Sequence, residues 1–319
     1  MEVNVPNKRS GQNHPGSTLR LANGASAAQP GNENGRMERD ELDAVKQAMG
    51  MLDPLVAHEF TDFDQAPTAL ATACLARGVY LSTAACHLAA TSSDQACAVL
   101  LRPAIEAWIY CCDIMYRGFP AMVEVLDEAR RQRGSLAAKL LGSNLFGDQN
   151  TQDLDGLIGS AKDRGLLDPE FVLPKPISVR QRLNNAVAAK GAPEFYRSIY
   201  DSVYSPMSAI DTHVPLAIEY HIHQFDGGFA TTSRADEWLN AAAQIQMVAS
   251  LLLSAAQDLL PGLGHDVTML GVFQVRIDEQ LRETLRAYAA VALEHEDMQI
   301  RGILARVLEE QGLAPGARG

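Results

Sequence analysis

The sequence predicts an all-α protein, a single multi-helix, bundle-like domain with a buried central helix. Apolar residues recur at three- and four-residue spacing over most of the chain, which is the periodicity of helices packed on one face. Only two short stretches, TMLGVF and YHIHQF, resemble strands. Residues 96–116 are apolar on nearly every side, as expected of a helix at the centre of a domain.

The composition is that of a globular protein with ample material for a core. The chain has 319 residues, of which 47% are hydrophobic and 21% are charged. Its formal net charge of −12 disfavours a phosphate backbone as a partner, so any nucleic-acid role requires a local basic patch.

The chain is predicted to have three parts. Residues 1–36 are rich in Gly, Asn, Ser, Pro and Ala and form a disordered leader, because they cannot bury enough apolar surface to fold. Residues 37–262 form the helical domain, and residues 263–319 form a C-terminal helical extension that packs on or beside it.

No signal peptide or membrane span is expected. The N-terminus has no apolar h-region. The closest approach to a span is residues 239–257, but their amide and hydroxyl side chains favour a buried core helix. We therefore expect a cytoplasmic protein without membrane association.

The flanking helices are predicted from apolar spacing, caps and prolines. A first helix at 39–58 is interrupted by Pro54, and a second at 67–90 has proline in its first turn. Ser92 and Gln95 form a capping box that starts the central helix, which ends near residues 118–120. Further helices are expected at 121–141, 151–164, 178–190 (capped by Ser178), 233–260 and 275–311, with a loop at 262–271.

The polar residues of the central helix fall in one narrow sector. On a helical wheel that sector holds Gln95, Arg102, Glu106, Asp113 and Arg117. One interpretation is the solvent face of an otherwise buried helix, with Arg102 and Glu106 as an ordinary i,i+4 pair. The other is the floor of a site, because Pro103 removes a backbone donor beside the charged pair and favours a kink.

A second block, residues 193–215, is rich in tyrosine and hydroxyl groups. Tyr196, Tyr200 and Tyr204 recur every four residues and are predicted to stack on one helix face. Ser205 and Pro206 start a short helix. It places Ser208 beside Tyr204, then Asp211 or Thr212 one turn on, and His213 at its C-terminal end; a hydrogen-bonded helix junction is the alternative.

No metal or cofactor site is expected. Glu219, His221 and His223 cannot all converge from one regular element, and no phosphate-binding glycine loop or metalloprotease motif is present. The five cysteines lie in apolar helical segments and are predicted to be buried reduced thiols. The arginines at 130, 131 and 133 are interpreted as a solvated face.

The two blocks together resemble a bacterial all-helical family, the domain of unknown function 5677. The matching features are Arg-x-x-x-Glu at Arg102 and Glu106, then Tyr-x-x-x-Ser at Tyr204 and Ser208, followed by His213 near a proline. The KPISVRQRLNN stretch also resembles the family's approach to its tyrosine-rich helix. The resemblance covers residues 70–256.

That family is similar in architecture to the HEPN superfamily, in which a basic residue and a histidine cleave RNA without metal. The resemblance implies Arg102 as the phosphate-binding group, His213 as the general acid/base and Glu106 as the residue that orients them. Tyr204, Ser208 and Asp211 would contact the ligand. This chain departs from the HEPN pattern, because no histidine follows the central arginine on the same helix.

Two functions therefore remain open from the sequence. The first is a metal-independent, ribonuclease-like or phosphate-binding protein of the defence or toxin type, whose partner is RNA or another phosphate-bearing ligand. The second is a non-enzymatic helical interaction module, in which the same polar residues form a buried network that fixes helix packing. A homo-oligomer is compatible with both.

Overall fold

The computed structural model describes residues 42–89, 94–141, 149–189, 192–204, 222–225, 228–231 and 238–293. Within these ranges the chain is all-α, as predicted. Its α-helices are α1 (Asp43–Leu55), α2 (Ala66–Ala89), α3 (Asp94–Arg117), α4 (Phe119–Leu141), α5 (Gln149–Asp163), α6 (Val179–Ala188), α7 (Tyr196–Ile199), α8 (Trp238–Leu259) and α9 (Thr268–Leu293).

Shorter elements join these helices. A π-helix at Tyr200–Tyr204 continues directly from α7, and 3₁₀ turns lie at Phe63–Gln65 and Leu260–Leu263. Strands β1 (Ile222–Phe225) and β2 (Gly228–Thr231) form one antiparallel hairpin, with Phe225 opposite Gly228. The YHIHQF stretch therefore contains a strand, whereas TMLGVF is wrong as a strand and begins α9.

The central helix has the predicted extent. It ends where Gly118 adopts a left-handed φ of 65° and its N–H donates to the carbonyl of Ile114. The predicted cap of α6 is also confirmed, since the hydroxyl of Ser178 accepts the N–H of Gln181. Ser92 lies outside the described residues, so the capping box that contains it stays a prediction.

The last helix begins seven residues earlier than predicted. The carboxylate of Asp266 accepts hydrogen bonds from the N–H and the hydroxyl of Thr268, which satisfies the start of α9 there. Leu270 and Ile277, seven residues apart, are both buried on one face of the helix. The predicted loop at 262–271 is therefore wrong from Thr268 onward, where α9 begins, and α9 packs on α8 and α1.

The core surrounds α3, which packs against α2, α6 and α8. Trp108 and Ile105 of α3 and Leu252 of α8 are fully buried. The helices meet most closely at Gly78, where an added Cβ would lie 2.5 Å from Leu252 Cδ2 and 3.6 Å from the carbonyl oxygen of Ala104. The predicted three-part division of the chain stays a prediction, and its leader, 1–36, lies outside the described residues.

One described helical stretch, Phe63–Ala89, is long and apolar enough to cross a membrane, judged by length and composition alone. Half of its most apolar window is buried inside the fold. The core helix of a soluble protein passes the same test, so this is weak evidence. The stretch that the sequence singled out, 239–257, carries more amide side chains and lies within the core helix α8.

The cysteines are free thiols, as predicted, and four of the five are buried. Burial raises the pKa of Cys74 to about 11 and that of Cys86 to about 12. Protonated, enclosed thiols are poor nucleophiles. We therefore interpret these cysteines as apolar side chains that pack in the core.

Replacing Gly78 with alanine should destabilise the protein, while Gly50→Ala should stabilise it. Both glycines lie inside helices, where alanine is intrinsically better by about 1 kcal/mol. Nothing lies within 4 Å of an added Cβ at Gly50, whereas Gly78 faces the buried Leu252. We expect overpacking of about 1–3 kcal/mol at Gly78 to exceed the helical gain. Urea unfolding of both variants measures this, and equal stabilisation would show that the α2–α8 contact is loose.

Candidate functional site

The polar sector of α3 divides into two halves with different surroundings. Near the start of the helix, the side chains of Arg102 and Glu106 are 30% and 31% exposed. Two to three turns beyond Glu106, Asp113 is completely buried and Arg117 is only 18% exposed. The interpretation of the sector as a solvent face is therefore wrong for Asp113, because α6 covers that half of α3.

In the more exposed half, Arg102 and Glu106 form a cluster with the buried Tyr204, which we call the Arg102 cluster. Arg102 Nε lies 3.4 Å from Glu106 Oε1. The hydroxyl of Tyr204 donates to the same Glu106 oxygen over 2.6 Å, and Arg102 Cζ lies 5.8 Å from the centre of the Tyr204 ring. Residues that are 98 positions apart in the sequence are thus in direct contact.

Tyr204 reaches the cluster because Tyr196 anchors its segment in the core. The ring of Tyr196 packs edge-on against Trp108 at 4.8 Å, and its hydroxyl lies 3.1 Å from the hydroxyl of Ser254 on α8. Tyr196 is therefore buried in the core and does not stack with Tyr200 and Tyr204, contrary to the prediction. Tyr200 and Tyr204, the first and last residues of the π-helix, do stack, with their ring centres 5.1 Å apart.

The electrostatics of the cluster assign a role to each group. Burial, with the hydrogen bond to Glu106, raises the pKa of Tyr204 to about 12, so its hydroxyl stays protonated near neutral pH and acts as a donor. Glu106 accepts that bond and faces Arg102, which makes it an orienting group. Arg102 has five N–H donors, and its closest contact with Glu106 is made by Nε.

The buried half of the sector belongs to an ion-pair network, which we call the Arg182 network. Its members, drawn from α3, α4 and α6, are Asp113, Arg117, Glu124, Glu128 and Arg182. The guanidinium of Arg117 donates two hydrogen bonds to the Asp113 carboxylate, over 2.6 and 3.0 Å. It donates two more to the Glu124 carboxylate, over 3.1 and 2.7 Å.

Arg182 joins α6 to this network. Its Nη1 lies 3.2 Å from Asp113 Oδ2 and its Nη2 lies 2.7 Å from Glu128 Oε2. Its guanidinium also lies over the ring of Tyr110, 4.8 Å from the centre, and only 1% of its side chain is exposed. The Nε of Arg182 is buried and meets no acceptor among the described residues.

Charge in the network is compensated at the cost of desolvation. Burial raises the pKa of Asp113 above its ordinary value, although Arg117 and Arg182 oppose this effect. Burial alone would lower the pKa of Arg182, but the hydrogen bond to Glu128 and the neighbouring charges raise it. Asp113 and Arg182 are therefore both held by partners of opposite charge. Removing one partner would leave a buried charge uncompensated.

A small pocket beside the Arg182 network is too small for a substrate. Its lining includes Glu128, Arg131, Lys175 and Arg182, and its free space is about 10 Å³. That volume holds about one water molecule.

Arg130 and Arg131 each pair with the buried carboxylate of Asp127, so the predicted solvated arginine face is partly a packing contact.

Sequence reasoning missed Arg182, although a signal for it was present. The buried residues of α6 are Arg182, Leu183, Ala186 and Val187, so a lone arginine lies on the apolar face of an amphipathic helix. An arginine at such a position requires a buried acidic partner. Its partners are 69 and 54 positions earlier in the chain, where the sequence pattern does not identify them.

Part of the predicted site lies outside the described residues. Ser208, Asp211 and His213 all fall within residues 205–221, as do Glu219 and His221 of the metal-binding alternative. The structure therefore brings together Arg102, Glu106 and Tyr204, and the roles of the other three site residues stay predictions. In the described part of the chain, no three His, Cys, Asp or Glu side chains are placed to hold a metal ion.

Comparisons with known proteins add no assignment. No family model matches the chain, no curated protein matches it and no solved structure matches it. The resemblance to the domain of unknown function 5677 and to the HEPN architecture therefore stays a prediction.

Replacing Arg182 with methionine should destabilise the protein by about 3 kcal/mol, because a buried carboxylate loses one of its cations. The matched control is Arg180→Met on the same helix, where the side chain is 58% exposed and the loss should stay below about 0.5 kcal/mol. Denaturant unfolding of both variants measures the difference. Equal, small losses would mean that the Arg182 network contributes nothing specific to the fold.

Proposed function

We propose that the protein binds a phosphate-bearing ligand at the Arg102 cluster, and that RNA is the substrate class. The observation that carries this proposal is the difference between two arginines. Arg182 is 1% exposed with both terminal nitrogens engaged by carboxylates, whereas Arg102 is 30% exposed and, among the described residues, pairs with Glu106 at 3.4 Å. A half-exposed, oriented guanidinium has the donor geometry that suits a phosphate group.

The neighbouring groups prepare Arg102 for such a ligand. Glu106 and the Tyr204 ring hold the guanidinium from one side, which lowers the entropy that a ligand must remove. Because the Tyr204 hydroxyl donates a hydrogen bond to Glu106, the proposal gives both residues a positioning role. In this proposal the proton transfers belong to His213, with Ser208 and Asp211 as ligand contacts.

The ribonuclease form of the proposal needs no metal. A base accepts the proton of the RNA 2′-hydroxyl as that oxygen attacks the adjacent phosphorus, and an acid returns a proton to the departing 5′-oxygen. Arg102 offsets the negative charge on the phosphate oxygens during the transfer. The net charge of −12 means that this attraction is local, so binding should be modest and sensitive to salt.

A second function is favoured by a different observation. The Arg182 network is buried, and it joins three helices through ion pairs that leave space only for about one water molecule. If the Arg102 cluster serves the same purpose, the protein is a non-enzymatic helical module whose polar residues set helix packing. Mutation distinguishes the two, because a packing role predicts lost stability and a binding role predicts lost affinity.

Arg102→Gln should weaken binding of a fluorescein-labelled single-stranded RNA by about tenfold or more, since a charge-assisted phosphate contact is lost. The control is Arg77→Gln, which removes an exposed arginine from α2. Fluorescence anisotropy measures affinity, and thermal unfolding should change little for either variant. If Arg102→Gln instead lowers the melting temperature and the wild-type protein binds no RNA, the packing function is correct.

Cleavage is tested separately from binding. In the ribonuclease form, His213→Ala abolishes cleavage of the labelled RNA and retains its binding, whereas the control His87→Ala, at an exposed position of α2, retains both. Wild-type protein that binds RNA through Arg102 and leaves it intact would contradict the enzymatic form and retain the binding form.

A further inference from the structure

We infer that the site extends from Arg102 to Arg180, and that its ligand is an extended polyanion with at least two phosphate groups. This inference rests on the proposed phosphate-binding function of Arg102. It adds a second anchor on another helix, to which a second phosphate group of the ligand binds.

A continuous stack of four side chains connects the two arginines, and we call it the Arg–Tyr stack. Arg102 Cζ lies 5.8 Å from the Tyr204 ring centre, the Tyr204 and Tyr200 ring centres are 5.1 Å apart, and Arg180 Cζ lies 5.5 Å from the Tyr200 ring centre. The stack joins α3, the π-helix and α6. Each guanidinium faces an aromatic ring, which is a favourable contact for a cation.

Arg180 is available to a ligand. Its side chain is 58% exposed, and its ion pair with Asp201 measures 3.2 Å between two exposed groups. Such surface pairs contribute little and exchange readily with solvent ions. A phosphate can therefore replace Asp201 as the partner of Arg180, while Tyr200 continues to support the guanidinium.

The dimensions of the stack favour an extended ligand. Because its three steps measure 5.8, 5.1 and 5.5 Å, the two guanidinium carbons lie at most about 16 Å apart. Two tyrosine rings separate them along the stack. A short chain of phosphates can follow this path, with one phosphate at each arginine.

The backbone at the centre of the stack is also unusual. Tyr200 and Tyr204 are the first and last residues of a five-residue π-helix. Single π-helical turns are rare and frequently lie at functional sites. Here the turn brings the two rings into a stack with an interplanar angle of 34°, while the preceding Tyr196 stays buried.

Two sources could supply this chemistry, a single-stranded oligonucleotide or inorganic polyphosphate. The experiment measures the affinity of the full chain for oligoribonucleotides of increasing length and for polyphosphate chains, using wild type, Arg180→Gln and Arg102→Gln. The matched control is Arg197→Gln, which removes an arginine that is 49% exposed, pairs with Glu194 and lies outside the stack. Circular dichroism melting confirms that each variant is folded.

We expect wild-type affinity to rise with chain length. Arg180→Gln should weaken the longer ligands by about tenfold, leave a mononucleotide within about twofold, and lower the salt dependence of binding by about one counterion. Arg197→Gln should match the wild type. If affinity rises with length for oligoribonucleotides alone, the second anchor binds nucleic acid. If affinity rises with length for oligoribonucleotides and for polyphosphate, the second anchor binds the phosphate chain itself.

Failure of this inference is distinguishable from failure of the proposed function. If Arg102→Gln weakens every ligand and Arg180→Gln weakens none, the phosphate site stands and its extension is wrong. If Arg180→Gln weakens the mononucleotide as much as the longer ligands, one phosphate contacts both arginines and the extended ligand is wrong. If Arg102→Gln changes nothing, both proposals are wrong.

Discussion

The buried ion pair between Arg182 and Asp113 is the contact on which the arrangement around α3 depends. It fixes α6 against the central helix at the point where Glu124 and Glu128 of α4 also converge. Net stabilisation from buried ion pairs is small, since desolvation offsets attraction, but any arrangement that separates the partners leaves a charge in a dry interior. Seven residues of the chain separate the end of α6 at Ala188 from the tyrosine segment, residues 196–204. Arg182, which joins α6 to α3, and Tyr196, which anchors the segment in the core, together place Tyr204 beside Glu106.

One helix thus supports two polar regions with different physical roles. Near Asp113, the side chains of α3 are enclosed and their charges are paired. Near Arg102, the same face of the helix opens to solvent, and a guanidinium is oriented by Glu106 and Tyr204 without being enclosed. Rigid support of a charged group is what a binding site requires, because an oriented guanidinium loses less entropy when a ligand arrives.

Much of the fold could be predicted from the sequence, because its determinants are local. The apolar α3, the Ser178 cap and the stop near Gly118 all follow from spacing and backbone chemistry. The Arg182 network could not be predicted, since its partners lie 54 and 69 positions away and nothing local identifies them. Tyr196 was misplaced for a related reason: its contact with Trp108 and the π-helix after it depend on tertiary packing. Arg102, Glu106 and Tyr204 were singled out together, and their contact is now visible, but their function stays a proposal.

Amide hydrogen exchange of the full chain, measured on Arg182→Met and on Arg180→Met, tests most directly whether Arg182 positions the tyrosine segment. If Arg182 positions the tyrosine segment, residues 179–204 should lose protection in Arg182→Met, while α2 and α8 retain theirs and Arg180→Met matches the wild type. Uniform loss of protection across all helices would contradict the account, because Arg182 would then contribute only to global stability. Unchanged exchange in residues 196–204 would contradict it as well, since Tyr204 would be positioned without Arg182.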